Sequence, residues 1–337
     1  MSIVAFFNPK SGVGQTSIVY HLAWMYADLG LNTVAVDLDP QTNLSAAFLS
    51  DERMTELWPE GDHQETVYGC VQPLIRGVGD VSTPHIESIS QRLVLLPGDL
   101  ALSSFEDRLS EAWPKCFDRD ECAFLVTSAF WRIMQSAVKQ HDAQIVLVDL
   151  GPNLGAINRA ALIACDYLVV PLSPDLFSLQ GLRNLGPRLR RWRDDWRKRL
   201  EVNLAPDLEL PSGTMRPSGY LIQRHSVRLD RPVQAYDRWM AQIPAEYRRA
   251  VLNEDQPAVL PLGDDPECLA LLKHYGSLMP MARQARKPMF HLRPADGALG
   301  SHFQAAQAAR KDFSQLAARI AERVSVTIPN RQLALQY

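Results

Sequence analysis

The stretch IVAFFNPKSGVGQTS, residues 3–17, joins an apolar run, a glycine-bearing turn and the start of a helical pattern. A buried strand followed by such a turn and a helix aims backbone N–H groups and the positive end of the helix at one point, where an anion binds. Gly12 and Gly14 allow the backbone to approach that anion closely, and Thr16 offers a hydroxyl that can coordinate Mg²⁺. The stretch therefore predicts a phosphate-binding loop at the end of the first strand.

Outward from this loop, short apolar runs alternate with longer helical stretches, the first of which covers residues 16–29. The alternation predicts an α/β fold, with a doubly wound, mostly parallel sheet and helices on both of its faces. The predicted strands lie at residues 3–7, 33–36, 93–97, 145–148, 168–171 and 218–223, with a late one around 277–279.

The bulk composition sets the size of the core. The chain has 337 residues, of which 46% are hydrophobic, which is enough for one large domain or two smaller ones. Because no repeat and no long linker divides it, we expect a single domain over residues 1–325, followed by a tail over 326–337. Two stretches rich in Pro, Gly and acidic residues, near 202–217 and 253–267, are interpreted as insertions.

The net charge limits how the chain could bind nucleic acid, and its cysteines indicate the cellular compartment. The formal net charge is -3, so any binding of nucleic acid must come from a local basic patch. The five cysteines form no CxxC pair, which is typical of reduced thiols in a cytoplasmic protein. We find no leader peptide and no membrane-spanning run, and therefore expect a cytoplasmic protein that does not contact a membrane.

Carboxylates follow two further predicted strands. Asp37 and Asp39 come directly after the second strand, and Asp149 follows the apolar run at 145–148. Ligands of open parallel sheets bind at the carboxyl edge, where all three side chains are expected to lie. An Asp at the end of a buried strand is also placed to hold a water on Mg²⁺.

These motifs together resemble those of the ParA/MinD-like ATPases, a P-loop NTPase family of the SIMIBI-like class, and are most similar to the ParA/Soj-type partition proteins. The run KSGVGQT at 10–16 resembles their deviant Walker A motif, usually KGGVGKT. The runs DLDPQTN at 37–43 and VDLGPNLG at 148–155 are similar to the two acidic motifs of the family, and the run at 158–182 matches its next segment. The resemblance covers the chain from residue 3 to about 320.

The resemblance implies a site for ATP or ADP with Mg²⁺. Lys10 would reach the phosphates of a partner in a nucleotide-sandwich dimer, and Asp39 would orient the attacking water, so these two are the catalytic candidates. The metal candidates are Thr16, Asp37 and Asp149, with Asp37 supporting the hydration shell of the ion. The residues expected to contact the nucleotide are Lys10, Ser11, Gly12, Val13, Gly14, Gln15, Thr16 and Ser17 in the loop, and Gln223, Pro280 and Met281 beside the base.

The loop departs from the family pattern at two positions. Ser11 replaces a glycine, and Gln15 replaces the P-loop lysine that normally places a positive charge on the β- and γ-phosphates. Glutamine can donate a hydrogen bond but carries no charge, so we expect weaker triphosphate binding by roughly a few kcal/mol. Two functions stay open: a ParA-like switch that hydrolyses ATP, and a pseudo-ATPase scaffold that binds nucleotide with little turnover.

A basic segment follows the last motif. Residues 183–199 hold eight basic residues and two acidic ones, and apolar residues recur there at helical spacing, which predicts an amphipathic helix with outward-facing arginines. Pro187 is expected to begin or kink this helix. Such a surface neutralises DNA phosphates without sequence preference. The DNA-binding candidates are Arg188, Arg190, Arg191, Arg197, Lys198 and Arg228.

The resemblance also implies partners. We expect a nucleotide-linked homodimer, non-specific DNA that would place the protein on the nucleoid, and a stimulating partner of the ParB kind. A membrane switch of the MinD type would need a basic amphipathic C-terminal helix, which the run TIPNRQLALQY at 327–337 does not supply.

Overall fold

A sheet of mostly parallel strands forms the centre of the structure. The structure is a computed structural model that describes residues 1–205, 207–223, 233–258 and 260–329, and of residues 233–237 it describes only the backbone. In these residues the sheet has eight strands in the order β3-β4-β2-β5-β1-β6-β7-β8, and every neighbouring pair is parallel except β3 with β4. The strands are β1 (Ser2–Phe6), β2 (Thr33–Asp37), β3 (Glu87–Ser90), β4 (Leu93–Leu96), β5 (Ile145–Asp149), β6 (Tyr167–Leu172), β7 (Arg216–Gln223) and β8 (Cys268–Leu272).

Helices connect the strands and cover both faces of the sheet, as the predicted fold class requires. In the described residues, no helix combines the length and the apolar character needed to cross a membrane. The helices are α1 (Gln15–Asp28), α2 (Asn43–Phe48), α3 (Asp51–Leu57), α4 (Val67–Arg76), α5 (Phe105–Lys115), α6 (Glu121–Thr127), α7 (Ala129–His141), α8 (Ala156–Ile163), α9 (Leu176–Val202), α10 (Val233–Ala250), α11 (Leu278–Ala285) and α12 (Ser301–Arg323).

The core has two layers because successive side chains of a strand point to opposite faces. Ile3 and Ala5 of β1 pack into the layer formed by α4 to α10, and Val4 and Phe6 pack into the layer formed by α1, α2, α3, α11 and α12. Since β1 is buried on both faces, it is a continuous apolar run, which is why the sequence pattern identified it.

The late strand predicted around residues 277–279 is wrong. Ser277 precedes α11, in which Leu278 and Ala282 are buried one turn apart, so the spacing is helical. The eighth strand is β8, which begins directly after the predicted insertion at 253–267. The short strand β3 was also missed, since its residues are only partly buried and carry no apolar run.

The basic helix starts earlier than predicted. Helix α9 begins after Asp175, whose carboxylate accepts a hydrogen bond from the N–H of Ser178 (2.9 Å), and it continues through Pro187. Pro187 therefore does not begin the helix. The apolar stripe is confirmed, because Leu185, Leu189 and Trp196 of α9 are buried.

Candidate functional site

The phosphate loop lies where β1 ends, in the middle of the sheet. Gly12 and Gly14 have φ values of +74° and +72°, a left-handed conformation that favours glycine. A Cβ on Gly14 would lie 2.0 Å from Oε1 of Gln223, so this position also excludes side chains by space. Asn8 fixes the loop, since its Oδ1 accepts from the N–H of Lys10 (2.9 Å) and its Nδ2 donates to the carbonyl of Pro171 (2.6 Å).

The three motifs meet around one cavity of about 180 Å³. Strands β2 and β5 lie side by side with Asp37 opposite Asp149, which brings both acidic motifs to the edge where the loop lies. The cavity is lined by Lys10, Ser11, Gly12, Val13, Gly14, Gln15 and Thr16, by Asp39, Gln41 and Asn43, and by Leu150 and Pro152.

Asp149 is the metal candidate with a free ligand atom. It is fully buried, its Oδ1 accepts from Gln15, and its Oδ2 has no hydrogen-bond partner among the described residues. Burial raises the pKa of Asp149 to about 6, while hydrogen bonds from Thr16 and Gln15 work in the opposite direction. A buried carboxylate oxygen without a partner beside a threonine hydroxyl fits the oxygen ligands that Mg²⁺ takes.

Asp37 is turned towards α2. Its Oδ2 accepts from both the N–H (2.8 Å) and the hydroxyl (2.7 Å) of Ser45, a residue that the sequence reasoning did not single out. Burial, with the nearby charge of Asp149, raises the pKa of Asp37 to about 8. Asp37 therefore orders the start of α2 beside the site, and its support of a hydration shell stays a prediction.

Asp39, the candidate for orienting water, lines the cavity itself. Its Oδ1 accepts a hydrogen bond from the N–H of Gln41 (3.0 Å), and burial raises its pKa. One oxygen of this carboxylate is thus hydrogen-bonded next to the phosphate loop, and its role in orienting water stays a prediction.

Gln15 makes its hydrogen bonds inside the protein. Its Nε2 donates to Oδ1 of Asp149 (2.8 Å) and to the carbonyl of Leu150 (2.6 Å), and its Oε1 accepts from the N–H of Asn8 (3.1 Å). The amide therefore joins the end of β1 to the end of β5, and both of its donor hydrogens are already used. Asn8 and the partners of Gln15 could not be found from the sequence, because they depend on which strands are neighbours.

Lys10 forms an ion pair with Asp175, which is the residue directly before α9. Strand β6, which leads to Asp175, lies directly beside β1, so the two loops that follow these strands touch. The predicted cross-subunit lysine is thus held by a carboxylate of its own chain.

The three residues expected beside the base lie in different surroundings, and their contact with a base stays a prediction. Gln223 lies against the loop, with its Nε2 3.4 Å from the carbonyl of Gly14. Met279 is the methionine that reaches the start of α1, where its Sδ lies 3.9 Å from Oγ of Ser17. Pro280 is exposed, and the ε-methyl of Met281 faces Gly297, so neither is shown beside the loop.

The basic candidates on α9 differ in their exposure. Arg188, Arg191, Arg197 and Lys198 are exposed, whereas Arg190 is half-buried and donates to the carbonyl of Ala250 (2.7 Å). Arg199, which was expected to point outwards with the others, is buried and donates to the carbonyl of Trp113 (2.8 Å). Arg228 lies outside the described residues.

Comparison with protein families agrees with this geometry. Residues 1–202 match the family described as AAA domain. Protein IncC of Escherichia coli is 29% identical over 178 residues, which are 53% of this chain and 43% of IncC. The chromosome partitioning protein ParA of Caulobacter vibrioides is 25% identical over 204 residues, which are 60% of this chain and 67% of that ParA. The chain thus spans less than half of the length of IncC.

Solved structures show the same fold. Protein DIP2308 from Corynebacterium diphtheriae superimposes with a TM-score of 0.71 at 22% identity, covering 96% of this chain and 98% of that chain. A McdA variant from Cyanothece, solved as a complex with ATP, gives a TM-score of 0.59 at 13% identity and covers 97% of both chains. At these identities the likeness establishes the fold and nothing finer.

Proposed function

Since this chain belongs to the AAA domain family, within the ParA/MinD-like P-loop ATPases, we propose that it is a nucleotide-dependent switch that positions DNA or another cargo. ATP would favour a dimer, the dimer would bind DNA or a partner, and hydrolysis stimulated by a ParB-like partner would reset it. The observation that carries the proposal is the cavity in which the phosphate loop, Asp39 and the end of β5 meet.

In this proposal each group has a task that its position supports. The N–H groups of the loop and the start of α1 bind the phosphates. The hydroxyl of Thr16 and Oδ2 of Asp149 would hold Mg²⁺, which supplies neutralisation of charge on the β- and γ-phosphates. Asp39 would orient the water, and Lys10 would contact phosphate across the dimer.

The exposed part of the basic helix supports DNA binding. Arg188, Arg191, Arg197 and Lys198 face solvent on α9. Each contact between such a side chain and a phosphate releases counterions, so binding of this kind falls steeply with salt. Replacing Arg188 and Lys198 by Ala should weaken DNA retention and lower the salt slope by about 2. The exposed Lys139 on α7, changed to Ala, is the control.

The test of the proposal is sedimentation of the full chain with ATP, ADP or no nucleotide, with and without DNA. We expect the mass to double with ATP alone, and DNA to be retained only by that species. The switch is refuted when ATP changes neither the mass nor the retention of DNA.

A pseudo-ATPase scaffold is the second candidate, and one observation favours it. Both donor hydrogens of Gln15 are engaged with Asp149 and Leu150, so this residue offers the phosphates neither a charge nor a free donor. Measuring the rate of ATP hydrolysis by the Gln15→Lys variant separates the switch from the pseudo-ATPase scaffold. A gain of about tenfold or more would show that the natural loop limits hydrolysis, as expected when a P-loop lysine stabilises the transition state. Unchanged turnover would show that Lys10 already supplies the charge.

A further inference from the structure

We propose that Glu106 of α5 is a positioning residue for the nucleotide site. It fixes the start of α8 and the loop at residues 150–155, and through them it sets the place of Asp39. The inference rests on the proposed function, because it names a further residue that acts on the same site.

Glu106 caps a helix that is not its own. The residue before α8 is Gly155, which has no side chain to accept from the first N–H groups of that helix. The carboxylate of Glu106 accepts instead from the N–H of Ala156 and from the N–H of Ile157 (2.8 Å). The N–H groups of a first helical turn need acceptors, and the helix dipole favours a negative charge there. Helix α5 therefore anchors the point where the loop after β5 enters α8.

Gly155 leaves the space for this contact. Its φ is -80°, so its conformation does not require glycine. A Cβ at this position would lie 2.6 Å from Oε1 of Glu106 and 2.9 Å from Oδ1 of Asn153, both of which are too close. The missing side chain thus allows the carboxylate of Glu106 to approach the start of α8.

The other end of the loop lies at the cavity, which Leu150 lines. Gly151 lies against Asp39, since a Cβ on Gly151 would be 3.0 Å from Oδ1 of Asp39. Nδ2 of Asn158, in the first turn of α8, donates to the carbonyl of Gly151 (2.6 Å). A shift of α8 would therefore move the backbone on which Asp39 rests, which gives Glu106 its effect on the site.

Two substitutions of Glu106 grade the contact. Glu106→Ala removes both hydrogen bonds to α8, whereas Glu106→Gln keeps one acceptor oxygen on a side chain of the same length and should rescue in part. Glu111→Ala is the charge control, because Glu111 is an exposed carboxylate on the same helix. Asp120→Ala is the capping control, because Asp120 caps α6 through the N–H of Ala123.

The first measurement is amide hydrogen exchange without nucleotide. In Glu106→Ala the amides of residues 155–157 should exchange about tenfold faster, because two of them lose a charged acceptor. The N–H of Gln41, which donates to Asp39, should also exchange about threefold faster or more. Glu106→Gln should give intermediate rates and both controls the wild-type rates at these positions. Faster exchange confined to α8 would show capping alone and would overturn the inference.

The second measurement separates binding of Mg-ATP from its hydrolysis. Glu106→Ala should lower kcat about tenfold and change the calorimetric affinity less than threefold, because the phosphates bind at residues 10–16 whereas Asp39 acts on the water. A loss of affinity as large as the loss of kcat would overturn the inference.

The two measurements also distinguish this inference from the proposed function. A wild-type chain that binds no Mg-ATP would refute the proposed function, while exchange at Gln41 would still show whether Glu106 acts on Asp39. In a wild-type chain that binds Mg-ATP without hydrolysing it, the exchange at Gln41 decides the inference alone.

Discussion

Gln15 stands where the family resemblance leads one to expect a lysine, and its amide connects two strands. Its three hydrogen-bond partners are Asp149, Leu150 and Asn8. A residue that looks like the loss of a catalytic charge is thus also a structural link, because a buried amide must satisfy its donors and acceptor locally.

This link predicts the effect of Gln15→Ala. The change leaves one oxygen of Asp149 and two backbone groups buried without partners, and each such group costs about 1 kcal/mol or more. We expect the free energy of unfolding in urea to fall by about 2–4 kcal/mol. Ser11→Ala, at an exposed position of the same loop, should change it by less than about 0.5 kcal/mol. Equal stability of the two variants would contradict the structural role.

At the scale of elements, α9 combines two kinds of arginine. Arg197 is exposed, whereas Arg199 lies with its guanidinium 3.8 Å from the ring centre of Trp113 and donates to the carbonyls of Trp113 and Asp195. Burial lowers the pKa of Arg199. Two residues of the same type, two positions apart in the helix, therefore lie on different faces, one exposed to solvent and one packed against Trp113.

Substitution of the two arginines should affect different properties, namely the stability of the fold for Arg199 and the retention of DNA for Arg197. Arg199→Ala removes the stacking and both hydrogen bonds, and is expected to lower the free energy of unfolding by about 2–3 kcal/mol. Arg197→Ala should change it by less than about 0.5 kcal/mol and instead weaken DNA retention. Urea unfolding and a filter-retention assay measure the two effects. A stable Arg199→Ala protein would show that the buried guanidinium is dispensable.

His21 of α1 connects the phosphate-loop helix to the segment before α12. Its Nε2 accepts from the N–H of Met289 (3.1 Å), and its ring stacks on Phe313. Burial lowers the pKa of His21 to about 4, so the ring is neutral in the folded protein at neutral pH.

This burial predicts a pH dependence of stability. Between the ordinary value near 6.5 and the folded value near 4, the unfolded chain binds a proton at His21 that the folded chain does not, so stability falls as the pH falls. From pH 7.5 to 5 the wild type should lose about 2 kcal/mol more than His21→Gln, as measured by urea unfolding. The same change at exposed His274 should leave the wild-type dependence intact. Parallel pH profiles of the wild type and His21→Gln would rule out this role.

At the scale of the whole molecule, the part beyond residue 202 completes the core. Strand β7 pairs with β6, and the hydroxyl of Tyr26 in α1 donates to the carbonyl of Ala317 in α12 (3.0 Å). We propose that residues 1–325 form one cooperative domain, although the family match ends at 202.

A fragment of residues 1–202 tests this proposal. Without β7 and β8 the apolar strand β6 becomes an edge, which is a template for aggregation. We therefore expect the fragment to aggregate or to unfold without cooperativity, whereas the full chain should show one urea transition. A fragment with a transition as steep as that of the full chain would mean that the domain ends near residue 202.

The sequence by itself determined the phosphate loop, the positions along the chain of six of the parallel strands and the apolar stripe of α9. These features follow from local requirements, namely apolar runs for buried strands, glycine at left-handed positions and helical spacing of the buried residues. The family resemblance rested on the same short segments, which is why it was confirmed.

Only the tertiary structure decided the partners of Gln15 and Lys10, the burial of Arg199 and the helix that replaces the last predicted strand. Gln15 meets Asp149 because β1 lies beside β5, and Lys10 meets Asp175 because β6 lies on the other side of β1. Such contacts join residues far apart in the chain, and no local sequence pattern encodes them, because they depend on which strands are neighbours in the sheet.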